Sequence, residues 1–206
     1  MADVTLAQPI ASPVAPGPPA IERPDFQIVP RAGLPVVAVV LALLIAAIAS
    51  DKLWPLEFFH VVGGAAWTVI DLFLGFVLGP IIGKLSIPAR VEFTTRFMPK
   101  MVLIMPTAVT VTLAAGWQLS TKLGTNQTAY ALHGWVVASF IVVGVMAVVA
   151  LGLLEPANIA VLTELKKPRP NPLVIERLMK RFIFTAGVTG VMQVATLVIM
   201  TKLASG

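Results

Sequence analysis

Residues 55–83 read PLEFFHVVGGAAWTVIDLFLGFVLGPIIG. From His60 to Gly83 the only formally charged side chain is Asp71, and the run exceeds the roughly 20 apolar residues that an α-helix needs to cross a bilayer. Lipid is therefore its main solvent. Four further segments share this character: 34–50, 97–122, 129–155 and 182–202. The whole chain agrees, because its 206 residues are 57% hydrophobic and 12% charged, about half the charge content of a typical soluble domain. The expected fold is all-α, a polytopic transmembrane helical bundle of five spans, with a four-helix core made by spans two to five.

Ahead of these segments, residues 1–33 carry Pro9, Pro13, Pro16, Pro18, Pro19, Pro24 and Pro30 among small and polar residues. That composition predicts an extended, disordered tail. The first apolar segment follows Arg31 and ends in Ala47-Ile48-Ala49, which resembles a signal-peptidase site. The long leader and the length of the apolar run favour an uncleaved helix instead.

The net charge of +5 would suggest a nucleic-acid partner in a soluble protein. Here the basic residues fall in a topological pattern. Segment 84–100 carries Lys84, Arg90, Arg96 and Lys100. Segment 156–181 carries Lys166, Lys167, Arg169, Arg177, Lys180 and Arg181, and the tail adds Arg23 and Arg31. Only Lys52, Lys122 and Lys202 remain for the other side. The positive-inside rule then predicts a cytoplasmic N-terminus and an outside C-terminus, with the lipid bilayer and no nucleic acid as partner.

An ionisable side chain at the bilayer centre costs on the order of 2.5–3.5 kcal/mol, so each one marks a candidate site. His60, Asp71 and His133 lie within the spans. His60, Gly64, Trp67 and Asp71 recur at helical spacing on one face. At 1.5 Å per residue Asp71 lies roughly 16 Å below His60, near the midplane. A carboxyl there needs a proton or a donor, and Thr110, Thr112 and Gln193 lie at similar depth. Asp71 reads equally as a structural link between helices or as a proton or cation site. His133 is expected about one turn inside the fourth span, which runs in the same direction as the second, so His60 and His133 reach one level near the outer leaflet. Two neutral imidazoles there could supply both axial ligands of a haem b or two ligands of a copper ion, with Trp67, Trp117 and Trp135 lining the pocket. Both residue types are also ordinary at a membrane interface, so a protein with no cofactor is the alternative.

The remaining signals are structural. Met98, Met101 and Met105 form a stripe best read as core. Gly75, Gly79 and Gly83, and likewise Ala108, Thr112 and Gly116, make small-residue ridges suited to close helix packing or a homo-oligomeric face. Pro80 and Pro106 are expected to bend their helices. The chain has no cysteine, which excludes disulfides, thiolate metal sites and cysteine nucleophiles. It also lacks a Walker loop, a dinucleotide-binding glycine fingerprint, Gly-x-Ser-x-Gly and His-Glu-x-x-His, so no soluble-type enzyme chemistry has support.

Spans two to five carry Phe59-His60 with Trp67 seven residues later, then Thr95-Arg96-Phe97 leading into a span that ends Ala115-Gly116-Trp117, then Arg177-Leu178 and Arg181 before the last span. Over about 150 residues this resembles the CopD-type membrane domain and the related HemJ-type protoporphyrinogen oxidase family. The resemblance implies a four-helix bundle in a bacterial plasma (inner) membrane, engaged in copper handling or haem b-linked redox chemistry. It also implies that His60 corresponds to the family's first-helix histidine. Where those families place a lysine on span four, this chain has no charge between Tyr130 and Glu155, and His133 is not part of the resemblance. The expected functions are thus a haem or copper site at His60 and His133, a subunit or assembly factor of a larger membrane complex, or a small proton- or cation-coupled transporter using Asp71.

Overall fold

The computed structural model describes residues 25–206. Most of the proline-rich tail lies outside the described residues. From Asp25 onward the chain already belongs to the bundle: Phe26 and Ile28 pack against the core, and Lys166 sits over the Phe26 ring.

Among the described residues, five helices are long and apolar enough to cross a membrane, and no strand is present. We number them α1 (Leu34–Ala49), α2 (Leu53–Lys84), α3 (Ile87–Lys122), α4 (His133–Leu165) and α5 (Pro172–Ser205). The chain is a multi-pass, all-α membrane protein. Short connections at 50–52, 85–86 and 166–171 and a longer one at 123–132 make successive helices antiparallel. Helix α2 packs between α3 and α5, and α4 packs against the same two, so α2 and α4 occupy opposite corners of a four-helix bundle. Helix α1 lies outside, across α3 and α2, where Leu44 meets Val111 and Ala115.

The helices outrun their apolar segments. Helix α3 starts ten residues before residue 97, α4 continues ten residues past 155, and α5 begins ten residues before 182. Arg90, Arg96, Arg177, Lys180 and Arg181 therefore project from helical extensions, and Lys100 from the helix itself, and not from loops. Hydropathy reports where lipid ends, whereas a helix continues while its backbone bonds remain satisfied. The observed starts follow local signals instead. Pro88 and Pro172 stand in first turns, and the Asn171 side chain accepts from the Leu173 and Val174 amides. Arg90 closes the two-residue turn between α2 and α3: its Nε donates to the Ile82 carbonyl and its Nη2 to those of Gly83 and Leu85, carbonyls at the end of α2 and in the turn that follows.

Helices α2 and α4 each contain a π-helical turn, Phe73–Leu78 and Ala150–Leu154, and in each a proline, Pro80 or Pro156, stands two residues beyond the turn. A proline has no N–H for the carbonyl four residues back, and its ring crowds that carbonyl. Widening the preceding turn relieves both problems without breaking the helix. Helix α3 instead runs unbroken through Pro99 and Pro106. The methionine stripe is core as read: Met98, Met101 and Met105 are all buried.

The glycine ridges bring backbones together. A Cβ on Gly75 would stand 2.5 Å from the Gly187 Cα, and one on Gly79 would stand 2.5 Å from the Ile183 side chain, so this ridge seats α2 on α5. A Cβ on Gly63 would stand 2.7 Å from the Thr112 hydroxyl oxygen, which seats α2 on α3. Gly83 continues the sequence pattern but faces open space.

Candidate functional site

The face of α2 that begins at His60 turns from one neighbour to another with depth. At its upper end His60 leans on α3. Its Nδ1 lies 3.0 Å from the Thr112 carbonyl oxygen, so Nδ1 carries the proton and, in the neutral ring, Nε2 keeps its lone pair. Gly116 makes this possible, because a Cβ there would stand 2.6 Å from the His60 Nδ1. The free hydroxyl of Thr112 is not available to Asp71, since it donates to the Ala108 carbonyl on its own helix.

About three turns deeper, α2 faces α5. Asp71 is fully buried, and its Oδ2 accepts a 2.9 Å hydrogen bond from the Gln193 amide. Of the three donors considered from sequence, Gln193 is the one in place; Thr110 points away from the core. Trp67, 2% exposed, and Thr189, fully buried, complete the polar surroundings of the carboxyl. Three atoms of this cluster have no hydrogen-bond partner: Asp71 Oδ1, Gln193 Oε1 and Trp67 Nε1. The Thr189 hydroxyl lies 3.0 Å from the carbonyls of Thr185 and of Ala186, and it can give its single proton to one of them or to Asp71.

His133 stands differently from the sequence expectation. Helix α4 begins at His133 itself and residues 129–132 are turns, so the imidazole is at the mouth of its helix, whereas His60 lies seven residues into α2. The two helices are at opposite corners of the bundle. The His133 Nδ1 is buried and has no partner. Trp117 and Trp135 are 58% and 41% exposed and lie on the outer surface, with Trp117 tilted against Phe140. Trp67 is the one tryptophan of the proposed pocket that reaches the interior.

A second polar group went unread in the sequence. Glu155 and Asn158, one turn apart at the exit of the α4 π turn, are both buried, and neither Glu155 oxygen has a hydrogen-bond partner. Asn158 reaches the Met98 carbonyl of α3 at 3.4 Å. The i, i+3 spacing is the available signal, but Glu155 stands at the end of its apolar run, where a carboxylate is ordinary.

Comparison with protein-family models, with curated proteins and with solved structures finds no match to this chain.

Proposed function

We propose that this membrane protein binds and releases a proton inside its bundle, with Asp71 as the proton-carrying group. The observation that carries the reading is the pair of unsatisfied acceptors, Asp71 Oδ1 and Gln193 Oε1, within one buried acid and amide pair. One proton on Oδ1, donated to Oε1, satisfies both at once and closes a cyclic pair with the existing Gln193 bond. It also removes a net charge from lipid depth, where an anion is costly. Among the described residues no charged side chain faces Asp71. Its neighbours are Trp67 on α2 and Thr189 and Gln193 on α5, and Trp67 belongs to the same apolar core as Met105 and Val109 of α3 and Met146 of α4. When the proton leaves, the Trp67 N–H and the Thr189 hydroxyl are the donors at hand for the exposed charge. With the basic end on the cytoplasmic side, the site lies between His60 and the cytoplasmic helix extensions.

Infrared spectroscopy of the purified protein tests this. A protonated-carboxyl band that shifts in heavy water and is missing from Asp71→Asn is expected. The Asn variant should keep its melting temperature, since its amide places N–H where the acid places O–H. Asp71→Ala should lose about 1–3 kcal/mol by stranding the Gln193 amide. In sealed vesicles the wild-type protein should relax an imposed pH gradient and Asp71→Asn should not. An Asp71 seen only as carboxylate at every pH would end the reading.

His60 supports a second reading, a redox or copper-handling protein of the CopD or HemJ kind. Its ring is oriented as metal-binding histidines are, with one nitrogen donating to a main-chain carbonyl and the other free, and the unpartnered His133 nitrogen is the second imidazole at that end. This donor set fits haem b or copper as ligands. Either group, when bound, supplies one-electron transfer. An optical spectrum should then show a haem band, or metal analysis should show copper, in either case lost in His60→Ala. A colourless, metal-free wild-type preparation excludes this second reading and leaves the first untouched.

A further inference from the structure

We propose that the furrow between α2 and α5 is a binding site for one anionic phospholipid. The furrow has a volume of about 870 Å³. Its floor is the glycine ridge, Gly75, Gly79 and Gly83 with Gly187, and its walls include Phe76, Ile183 and Val188. At one end it reaches Arg90, Glu176 and Lys180.

Two features select the occupant. The first is length: from Met192 to Glu176 the furrow follows α5 for roughly 24 Å at 1.5 Å per residue. That is close to the depth of one leaflet with its headgroups, half of a bilayer about 40–45 Å thick. One phospholipid has this reach, whereas a second transmembrane helix lying along the seam would need a furrow that continues through the other leaflet. The second feature is charge, which sits at the end where a headgroup would lie. Glu176 is engaged by Lys180 at 2.7 Å, so the three mouth residues carry one net positive charge. Arg90 holds its three carbonyls through Nε and Nη2, which leaves Nη1 to meet a phosphate. Lys84, Arg177 and Arg181 stand on the adjoining turns and add to the same potential. A lipid headgroup of the anionic class, such as phosphatidylglycerol, complements this end, and a zwitterionic one does not.

Gly83 allows a clean test, because a Cβ there meets nothing within 4 Å and Gly83 lines the furrow, so a larger side chain extends into the furrow from an uncrowded start. Native mass spectrometry of the whole protein released from mixed phosphatidylcholine and phosphatidylglycerol bilayers should show one retained phosphatidylglycerol. The expected preference is about fivefold, as for one net charge near a membrane surface. Gly83→Leu should remove the retained lipid while leaving the melting temperature unchanged, and Lys180→Glu should reverse the preference. Val188→Trp plugs the furrow from the other wall if Gly83→Leu folds poorly. Equal retention of both lipids, retention that survives both plugs, or a dimer of this chain without lipid would each overturn the proposal. None of these results bears on Asp71.

Discussion

Gly75→Leu is expected to prevent the bundle from assembling. The Gly75 position lies against the Gly187 backbone, where even a methyl group would stand 2.5 Å from a Cα and 2.8 Å from an amide nitrogen. Backbone atoms cannot rotate away as a side-chain end can, so α2 and α5 must separate. Separation strips the contacts that hold membrane helices together, since lipid supplies no hydrophobic drive between them and close packing supplies most of the attraction. Gly75→Ala should already cost about 1–3 kcal/mol by overpacking. The leucine variant should fail to elute as a single species in mild detergent. Gly83→Ala is the matched control, with the same residue type two steps along the same ridge and open space at its Cβ. It should melt with the wild type. Equal behaviour of the two alanine variants would show that the α2–α5 seam is not where these glycines act.

Trp67→Ala is expected to have the second-largest effect. Its ring is among the largest fully buried side chains and joins the core cluster with Leu74, Met105, Val109 and Met146. Truncating such an aromatic typically costs roughly 3–5 kcal/mol. The change would also take away one of the donors beside Asp71. Trp67→Phe separates the two effects: it keeps most of the packing and removes only the N–H. A thermal midpoint close to wild type in Trp67→Phe, together with a large loss in Trp67→Ala, would assign the effect to packing. A comparable loss in both would assign it to the hydrogen bond.

The five spans were legible because apolar runs report on solvent, and the solvent here is lipid. Helix ends were less so: the stretches around Arg96 and Arg177 are polar enough to leave the bilayer yet remain helical. Asp71 was legible because it is the lone formal charge in its run. Gln193 could only be one of several donors, since depth is readable from sequence while the direction a side chain faces depends on which helices become neighbours. The same limit explains Thr110, which has suitable depth and the wrong face, and Gly83, which has suitable spacing and no partner. His133 shows a different limit. Its level was counted from the start of an apolar segment, but the chain spends residues 129–132 on turns before the helix begins.

The π turns of α2 and α4 carry a consequence for how the two ends of the molecule are keyed to each other. An α-helix advances about 100° per residue, so a turn with one residue too many offsets everything beyond it by that angle. The half of α2 that presents His60, Trp67 and Asp71 and the half that presents Gly79 and Ile82 are thus held in a phase relation set at 73–78, and α4 has its own setting at 150–154. A single-residue deletion in either turn would leave every surviving side chain chemically unchanged. It would nevertheless swing one half of that helix about its axis relative to the other, and in α2 the glycine seam and the buried acid could then no longer face α5 together.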